Sequence, residues 1–293
     1  MSTRRRFRPA LGFAAVVLLL LVTWEVAKLL AGDPWRYPNL AGGLSFQWDP
    51  PLRWSPVSDI NLPHLWTILG AFVGVDAKGE AYLWSLVRAA WFTARESALG
   101  FALGTGIGLG LAIVLIHVRV LERGLVPLLV ASQTVPIIAI APVVVVGLKA
   151  GSFGVAIVAT YLTFFPVTIA AIRGMRSADP RAFELMRSYA AGRRTVLRKL
   201  RLPASPPYLF TAFKIAATAS VVGAIVGEFP AGIREGLGGA LLQAMQYYTF
   251  SPADLWAAIV VCAGLGILSF LLVVAAERFA LRGYRPIEDG AGA

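Results

Sequence analysis

A chain of 293 residues that is 57% hydrophobic and 15% charged, with mean hydropathy +0.70, has too little polar surface to face water throughout. Most of it belongs in lipid, and apolar runs of about 20 residues make the spans helices, so the expected class is all-α. The formal charge of +11 would also suit a nucleic-acid binder, but the cations stand in blocks beside hydrophobic runs, which marks membrane topology and excludes nucleic acid as the partner.

Cys262 is the single cysteine and lies in an apolar run, which excludes an intramolecular disulfide. His64 and His117 are too few and too far apart for a metal cluster, and both read as bland. Arg4, Arg5, Arg6 and Arg8 precede an apolar run from about Pro9 to Ala31. A cleaved signal peptide and a retained first span both begin this way. The run is long for a signal's apolar core and carries Trp24, Glu25 and Lys28 near its far end, which favours a retained span.

Residues 32–83 differ in kind, with six prolines and five acids against three Lys or Arg. They read as an external segment with short interfacial helices around His64–Val73 and from Ala81 onward. Trp35, Trp54, Trp66, Trp84 and Trp91 then sit near the lipid headgroups. The second span begins near Arg95, and its Gly100, Gly104 and Gly108 make a small-xxx-small face, with Gly106 and Gly110 beside it. His117 to Arg123 is a short basic turn. The third span, 124–149, contains Pro127, Pro136 and Pro142 around the polar trio Ser132, Gln133, Thr134. Lys149-Ala-Gly-Ser then turns the chain outside. The fourth span, 153–172, carries Thr160, Tyr161, Thr163, Pro166 and Thr168.

Polar groups and prolines at membrane depth are tolerated where they face protein or a water-filled route. Gln133, Thr134, Thr160, Tyr161 and Thr163, with Thr218 and Ser220 of the fifth span, are therefore candidate walls of a translocation path. The alternative is a set of kinked packing helices with Gln133 bonded to a neighbour.

From Arg176 to Pro203 there are eight Lys or Arg and two acids, Asp179 and Glu184. Asp179 suits the N-cap of a helix and Pro180 its N1 position, with Gly192 to end it. A second helix is expected from about Arg193 to Leu202, stopping before Pro203. Phe183, Met186 and Ala190 share a face of the first helix, joined by Leu185 and Tyr189. An apolar stripe ringed by cations suits docking; the plainer alternative is only a positive loop.

The fifth span, 208–229, ends at Glu228, about 20 residues or roughly 30 Å of helix from Tyr208, which puts the carboxylate at the external boundary. It is a candidate for an external gate, for a pair with Arg234, or for a solvated helix end. An acid at a helix C-terminus faces a negative dipole, so something must compensate. Residues 230–252 form an external stretch, the sixth span covers 253–276, and Arg278, Arg282 and Arg285 follow. With the N-terminus inside, segments 1–9, 117–123, 173–207 and 278–293 hold 18 of the 27 Lys and Arg, so six spans with both termini cytoplasmic satisfy the positive-inside bias. The domain layout is a basic N-terminus with the first helix (1–31), the external segment (32–83), a core of spans two to six (84–278) with a loop at 174–207, and a tail (279–293).

The interval 179–203 resembles the cytoplasmic loop signature of ABC importer membrane subunits: Glu-Ala-Ala, three residues, Gly, nine residues, Ile-x-Leu-Pro. With Leu202-Pro203 on the final pair, Glu184 falls on the Glu, Ala190 on the Gly and Leu200 on the Ile. Leu185 and Met186 replace the two alanines, and the glycine is shifted to Gly192 or lost. ASQTVPIIAIAP (131–142), ELMRSYAAG (184–192) and KIAATASVVGAIVGEF (214–229), followed by GLGGALL, look most like permeases of importers for hydroxymethylpyrimidine-type thiamine precursors or riboflavin, while RESALGF (95–101) resembles the opening of the second span in importers of the sulfonate, nitrate and taurine type. Sulfonate, nitrate and taurine permeases share this framework and are the alternative.

The resemblance implies a polytopic protein of about six transmembrane helices with the type I importer fold, in a bacterial cytoplasmic membrane. It implies a second copy of the permease (a homodimer, or a heterodimer), two cytoplasmic ATPase subunits that receive the loop as a coupling helix, and an extracytoplasmic solute-binding protein. In such a system the spans rock between outward and inward access. The chain has no G-x-x-x-x-G-K-[ST] phosphate loop, so it is not expected to be an enzyme or to bind a cofactor directly; ATP is used by partner subunits. A stand-alone secondary transporter would show an internal repeat or a coupling acid at the midplane. A membrane enzyme would need a carboxylate or histidine constellation, whereas Glu228 stands nearly alone.

Overall fold

The computed structural model describes residues 3–40, 44–75, 79–149 and 151–282. Ala150, the tail from residue 283 with Arg285, and the side chains of the N-terminal arginines lie outside the described residues. The chain divides into two compact units, one of residues 1–85 and 243–259, the other of residues 86–242 and 260–293.

In the first unit, α1 (Thr3–Leu30) presents Leu18, Leu19 and Leu20 at 63–64% exposure, as a lipid-facing helix requires. A hairpin follows that proline and glycine content did not announce: β1 (Trp35–Leu40) pairs antiparallel with β2 (Leu44–Trp48), Trp35 opposite Trp48. After a single tight turn at Ser55–Val57, α2 (Leu65–Val73) forms where an interfacial helix is expected, with His64 at its N-cap.

The end of α1 is tied to this segment by buried polar groups. Lys28 is fully buried and donates to the Asp59 carboxylate and to the carbonyls of Leu62 (2.8 Å) and Val57 (3.4 Å). Glu25 accepts from the Leu65 N–H at 2.8 Å and lies 3.0 Å from His64 Nδ1. His64 is therefore not bland: it is buried, stacks on Trp66 at 4.1 Å and receives the edge of Trp35 at 4.7 Å. Burial pushes its imidazole below the ordinary 6.5, and Lys28 adds to that, against the pull of Glu25.

In the second unit, α3 (Tyr82–His117) is one helix of 36 residues, about 54 Å, which fuses the interfacial helix expected from Ala81 with the span expected from Arg95. No Gly or Pro between those points interrupts it. The basic turn expected at His117–Arg123 shrinks to Val118, because α4 (Arg119–Ser132) begins at once.

The third span is not a continuous kinked helix. α4 stops at Ser132, α5 (Ile137–Val145) starts after Pro136, and the two are bent by 96°. Pro136 excludes Val135 from helical geometry, and the hydroxyls of Ser132 and Thr134 turn back onto the carbonyls of Leu129 (2.8 Å) and Ala131 (2.7 Å).

α6 (Gly151–Arg176) leads into the basic loop: α7 (Pro180–Ser188), α8 (Arg193–Val196), a wide turn at Leu197–Arg201 and α9 (Leu202–Ala204). α10 (Pro206–Ala231), α11 (Leu237–Gln246) and α12 (Pro252–Ala280) complete the chain. α11 occupies what reads in sequence as an external stretch.

Among the described residues α3, α6, α10 and α12 are long and apolar enough to span a bilayer, and the α4–α5 pair is a fifth if taken as one span. Of the six spans expected from the sequence, four or five are thus met among the described residues. The contacts are made by small residues, as they must be where lipid is as apolar as Leu. A Cβ at Gly104 would lie 2.6 Å from Thr163 Cβ, one at Gly108 2.7 Å from the Phe164 carbonyl, and one at Gly100 would strike Ala159, so the glycine stripe is the α3–α6 contact. Gly106 and Gly110 face open space. α10 meets α6 in the same way, with Gly223 against Ala159 and Gly227 against Val155. Ala112, Leu115, Ala171, Ile172 and Met175 form one apolar core between α3 and α6; Ala141, Val145, Val155, Val158 and Ala224 form another between α5, α6 and α10.

Candidate functional site

The basic loop begins as its residues predict. Asp179 caps α7 by accepting from the Arg181 N–H at 2.8 Å, and Pro180 is the first helical residue. Its end differs. The Ala190 N–H bonds to the Arg187 carbonyl and the Ala191 N–H to the Met186 carbonyl, both at 2.9 Å, the paired closure of a Schellman turn. The left-handed residue this turn needs is Ala190, at φ 47°, while Gly192 sits in extended geometry as the N-cap of α8. The position aligned with the signature glycine has thus kept the glycine conformation and lost the glycine.

Pro203 does not stop the second helix either. The Leu202 N–H reaches back to the Leu197 carbonyl, five residues away, and this wider turn lets the chain run through Pro203 to Ala204 before it breaks at Ser205.

The returning arm of the loop is clamped to α6. Gly174 packs against Ser205, Ser177 donates to the Ala204 carbonyl at 3.3 Å, and Arg201 reaches the Met175 carbonyl at 3.5 Å. Arg176 pairs with Glu122 of α4 at 2.5 Å. The Arg201 guanidinium lies over the Phe183 ring at 5.1 Å; burial lowers its pKa from the ordinary arginine value, and neighbouring Arg176 adds to that.

The apolar stripe of α7 is split as a result. Phe183 and Met186 are half-buried, as are Leu200 and Ala191, while Leu185 is 57% and Tyr189 76% exposed. Glu184, Ala190, Gly192, Leu202 and Pro203 are also exposed. A rigid, cation-rimmed platform therefore offers Leu185 and Tyr189, one turn apart, to whatever meets it.

At the other end of α10, Glu228 is fully buried and is not a solvated helix end. Its Oε1 accepts from the Thr93 hydroxyl at 2.6 Å and its Oε2 from the Gly238 N–H at 2.5 Å, and Thr93 in turn accepts from the Leu237 N–H at 2.8 Å. The compensation its C-terminal position demands thus comes from the first N–H groups of α11 rather than from Arg234, which is exposed. Gly236 lies directly on the carboxylate, and a Cβ at Gly238 would come 2.7 Å from Glu228 Cβ. The GLGG run is a cradle in which side chains do not fit.

Glu228 is not alone. Glu96 of α3, only 6% exposed, belongs to the same buried neighbourhood. Thr93 and Glu96 escape the sequence reading because each is unremarkable singly. With Ser97, Gly100 and Gly104 they recur every three or four residues on one face of α3, and that spacing is the signal.

The candidate path residues scatter. Thr163 and Ser220 are buried in helix contacts and bond to their own helices, at the Ala159 and Ala217 carbonyls (both 2.8 Å), so neither presents a wall. Thr160 bonds to the Ala156 carbonyl at 2.8 Å, Thr218 to the Ile215 carbonyl at 2.9 Å, and the Tyr161 hydroxyl ties α6 to the Ser132 carbonyl at the α4–α5 break. Thr134 is exposed, and the Gln133 amide nitrogen is buried without a partner. None of the seven lines the groove of about 540 Å³ between α6 and α10, whose walls include Phe165, Ile169, Arg173, Tyr208, Thr211 and Ile215.

A predominantly helical membrane chain with a clamped basic loop and a broken third span is the architecture of an importer's membrane subunit. The chain superposes on a solved structure of the MetNI methionine ABC transporter in inward-facing conformation with a TM-score of 0.53, covering 70% of this chain and 98% of the other at 22% identity, which establishes the fold. Residues 104–282 match the family described as "Binding-protein-dependent transport system inner membrane component", and the chain belongs to that family of ABC importer permeases. It is 33% identical to the riboflavin transport system permease protein RibX of Chloroflexus aurantiacus, over 81% of this chain and 77% of that one. It is 28% identical to the formylaminopyrimidine transport permease protein ThiX of Halalkalibacterium halodurans, over 90% and 92%. The chain is therefore a multi-pass inner-membrane transport component rather than a catalyst.

Proposed function

We propose that this permease carries a neutral, heteroaromatic vitamin precursor of the pyrimidine or flavin type. The observation that carries the reading is the likeness, over most of the chain, to permeases named for riboflavin and formylaminopyrimidine. The electrostatics agree: the single basic side chain within α10, Lys214, is bonded to Glu277 of α12 at 2.8 Å and is not available to hold a sulfonate or nitrate. Two copies of the chain form the path, with both termini and the 174–207 loop cytoplasmic and residues 32–83 outside. Two ATPase subunits engage the loop through Leu185 and Tyr189, within the wider set running from Phe183 to Pro203. ATP is consumed there, and a solute-binding protein delivers the cargo to the opposite face, where Glu228 belongs to the gate. The first helix is retained, since Glu25 and Lys28 are built into the fold of the external segment.

Vesicles containing permease, ATPase and binding protein test the reading by uptake of labelled hydroxymethylpyrimidine, riboflavin and an alkanesulfonate. ATP-dependent uptake of either heteroaromatic supports it, and uptake of the sulfonate alone overturns it. In the same vesicles Leu185→Asp should abolish stimulation of ATP hydrolysis while the permease remains folded. Normal stimulation would remove α7 from the docking surface.

A further inference from the structure

We propose that Glu96 and Glu228 form a buried site for a single proton, held in common by the two carboxyl groups where α3, α6, α10 and the start of α11 meet. The proposal stands on this chain alone and is independent of the gate reading. Glu228 is fully buried with both oxygens engaged, by the Thr93 hydroxyl and the Gly238 N–H. Glu96 is 6% exposed, and neither of its oxygens has a hydrogen-bond partner. The polar groups acting on it are the Ser152 hydroxyl of α6 and the Glu228 carboxyl itself.

Among the described residues no cation answers the pair. Neither acid enters an ion pair among the described residues. On α3, Arg95 is exposed with its guanidinium 4.9 Å from the Trp91 ring. α5 has no titratable residue, α12 contributes the Cys262 thiol, and Arg234 and Glu235 of the connection before α11 lie on the surface.

Two ionised carboxylates in such a place would each lose the hydration that water gives them, and neutralising one is the cheapest remedy. The donor pattern says which. Glu228 accepts from two donors, whereas the one hydroxyl acting on Glu96 is that of Ser152, so Glu96 is the carboxyl that takes a proton from water and donates it to Glu228. No electrons move. The proton then joins α3 to α10 at this end, and water admitted between these helices is what can remove it.

The test uses the full-length permease in lipid nanodiscs, without ATPase or binding protein. Infrared spectra at neutral pH should contain the C=O stretch of a buried protonated carboxyl, lost in Glu96→Gln and restored in Glu96→Asp. The melting temperature of the wild type should fall as pH rises into the alkaline range, where removing the proton leaves two buried charges, and that slope should disappear in Glu96→Gln. If Glu96→Gln fails to fold, Glu228→Gln should shift the band, because the Glu96 acid then donates to an amide oxygen and not to a carboxylate, and an unshifted band overturns the proposal. A wild-type spectrum without the band, or a band that survives Glu96→Gln, overturns it as well. So does stabilisation of a band-free wild type by added Na⁺ or Ca²⁺, which would assign the site to a metal cation.

Discussion

Ala190 is the residue whose conformation most clearly outruns its identity. A non-glycine side chain at φ 47° costs about 1 kcal/mol relative to glycine, and the Schellman turn at the end of α7 holds it there. Ala190→Gly should therefore raise stability by up to about 1 kcal/mol without altering the loop, read as a higher melting temperature of the purified permease. A drop would mean that the methyl makes a contact worth more than the strain. His64 gives the residue-scale pH dependence. Its pKa is depressed in the fold, so its contribution is fully present above the unfolded value of 6.5 and is lost as pH falls through the folded one. Acidification below 6.5 should progressively loosen the segment around Leu65–Val73, seen as faster amide exchange there, and His64→Ala should remove that dependence while lowering stability at neutral pH.

Between elements, the glycine faces decide how closely helices approach. Gly104 has Thr163 at 2.6 Å from a hypothetical Cβ, whereas Gly106, half a turn away, has open space. Gly104→Leu should separate α3 from α6 and cost about 1–3 kcal/mol or more, while Gly106→Leu should be tolerated in lipid. Equal melting temperatures for the two variants would dispose of the packing assignment. The Lys214–Glu277 pair joins α10 to α12 in the same unit, with side chains only 24% and 22% exposed. Lys214→Met alone strands a largely buried carboxylate and should destabilise, and adding Glu277→Leu should recover most of the loss.

At the scale of the whole molecule, the two ends of α10 do different things. Its start is held by a clamped basic loop with an exposed apolar pair, and its finish is sealed by the N-terminus of α11 around a buried acid. The proposed topology puts these on opposite sides of the membrane. In a Cys262→Ala background, Asn61→Cys should react with an impermeant thiol reagent added outside intact cells, and Thr195→Cys only after the membrane is opened. Labelling of both from the same side would overturn the orientation.

The solvent, the helical class and the helical start of the basic loop were legible in the chain, because each rests on composition or on short-range spacing. Apolar runs locate spans, Asp179-Pro180 starts α7, and the repeat of Gly100, Gly104 and Gly108 marks a close-packed face whichever helix fills it. Four features needed the folded molecule. The α4–α5 break turns a kink into a 96° bend, and α3 absorbs what looked like a separate interfacial helix. His64 became the centre of a buried network only when Glu25 of α1 came back to it. Glu228 acquired Thr93 from 135 residues away and the Gly238 N–H from 10 away. Sequence periodicity reports which face of a helix is apolar or small; it cannot report which distant polar group will lie against a given carboxylate. That is set by how the helices cross, and it determines whether an acid at a helix end meets water or is buried.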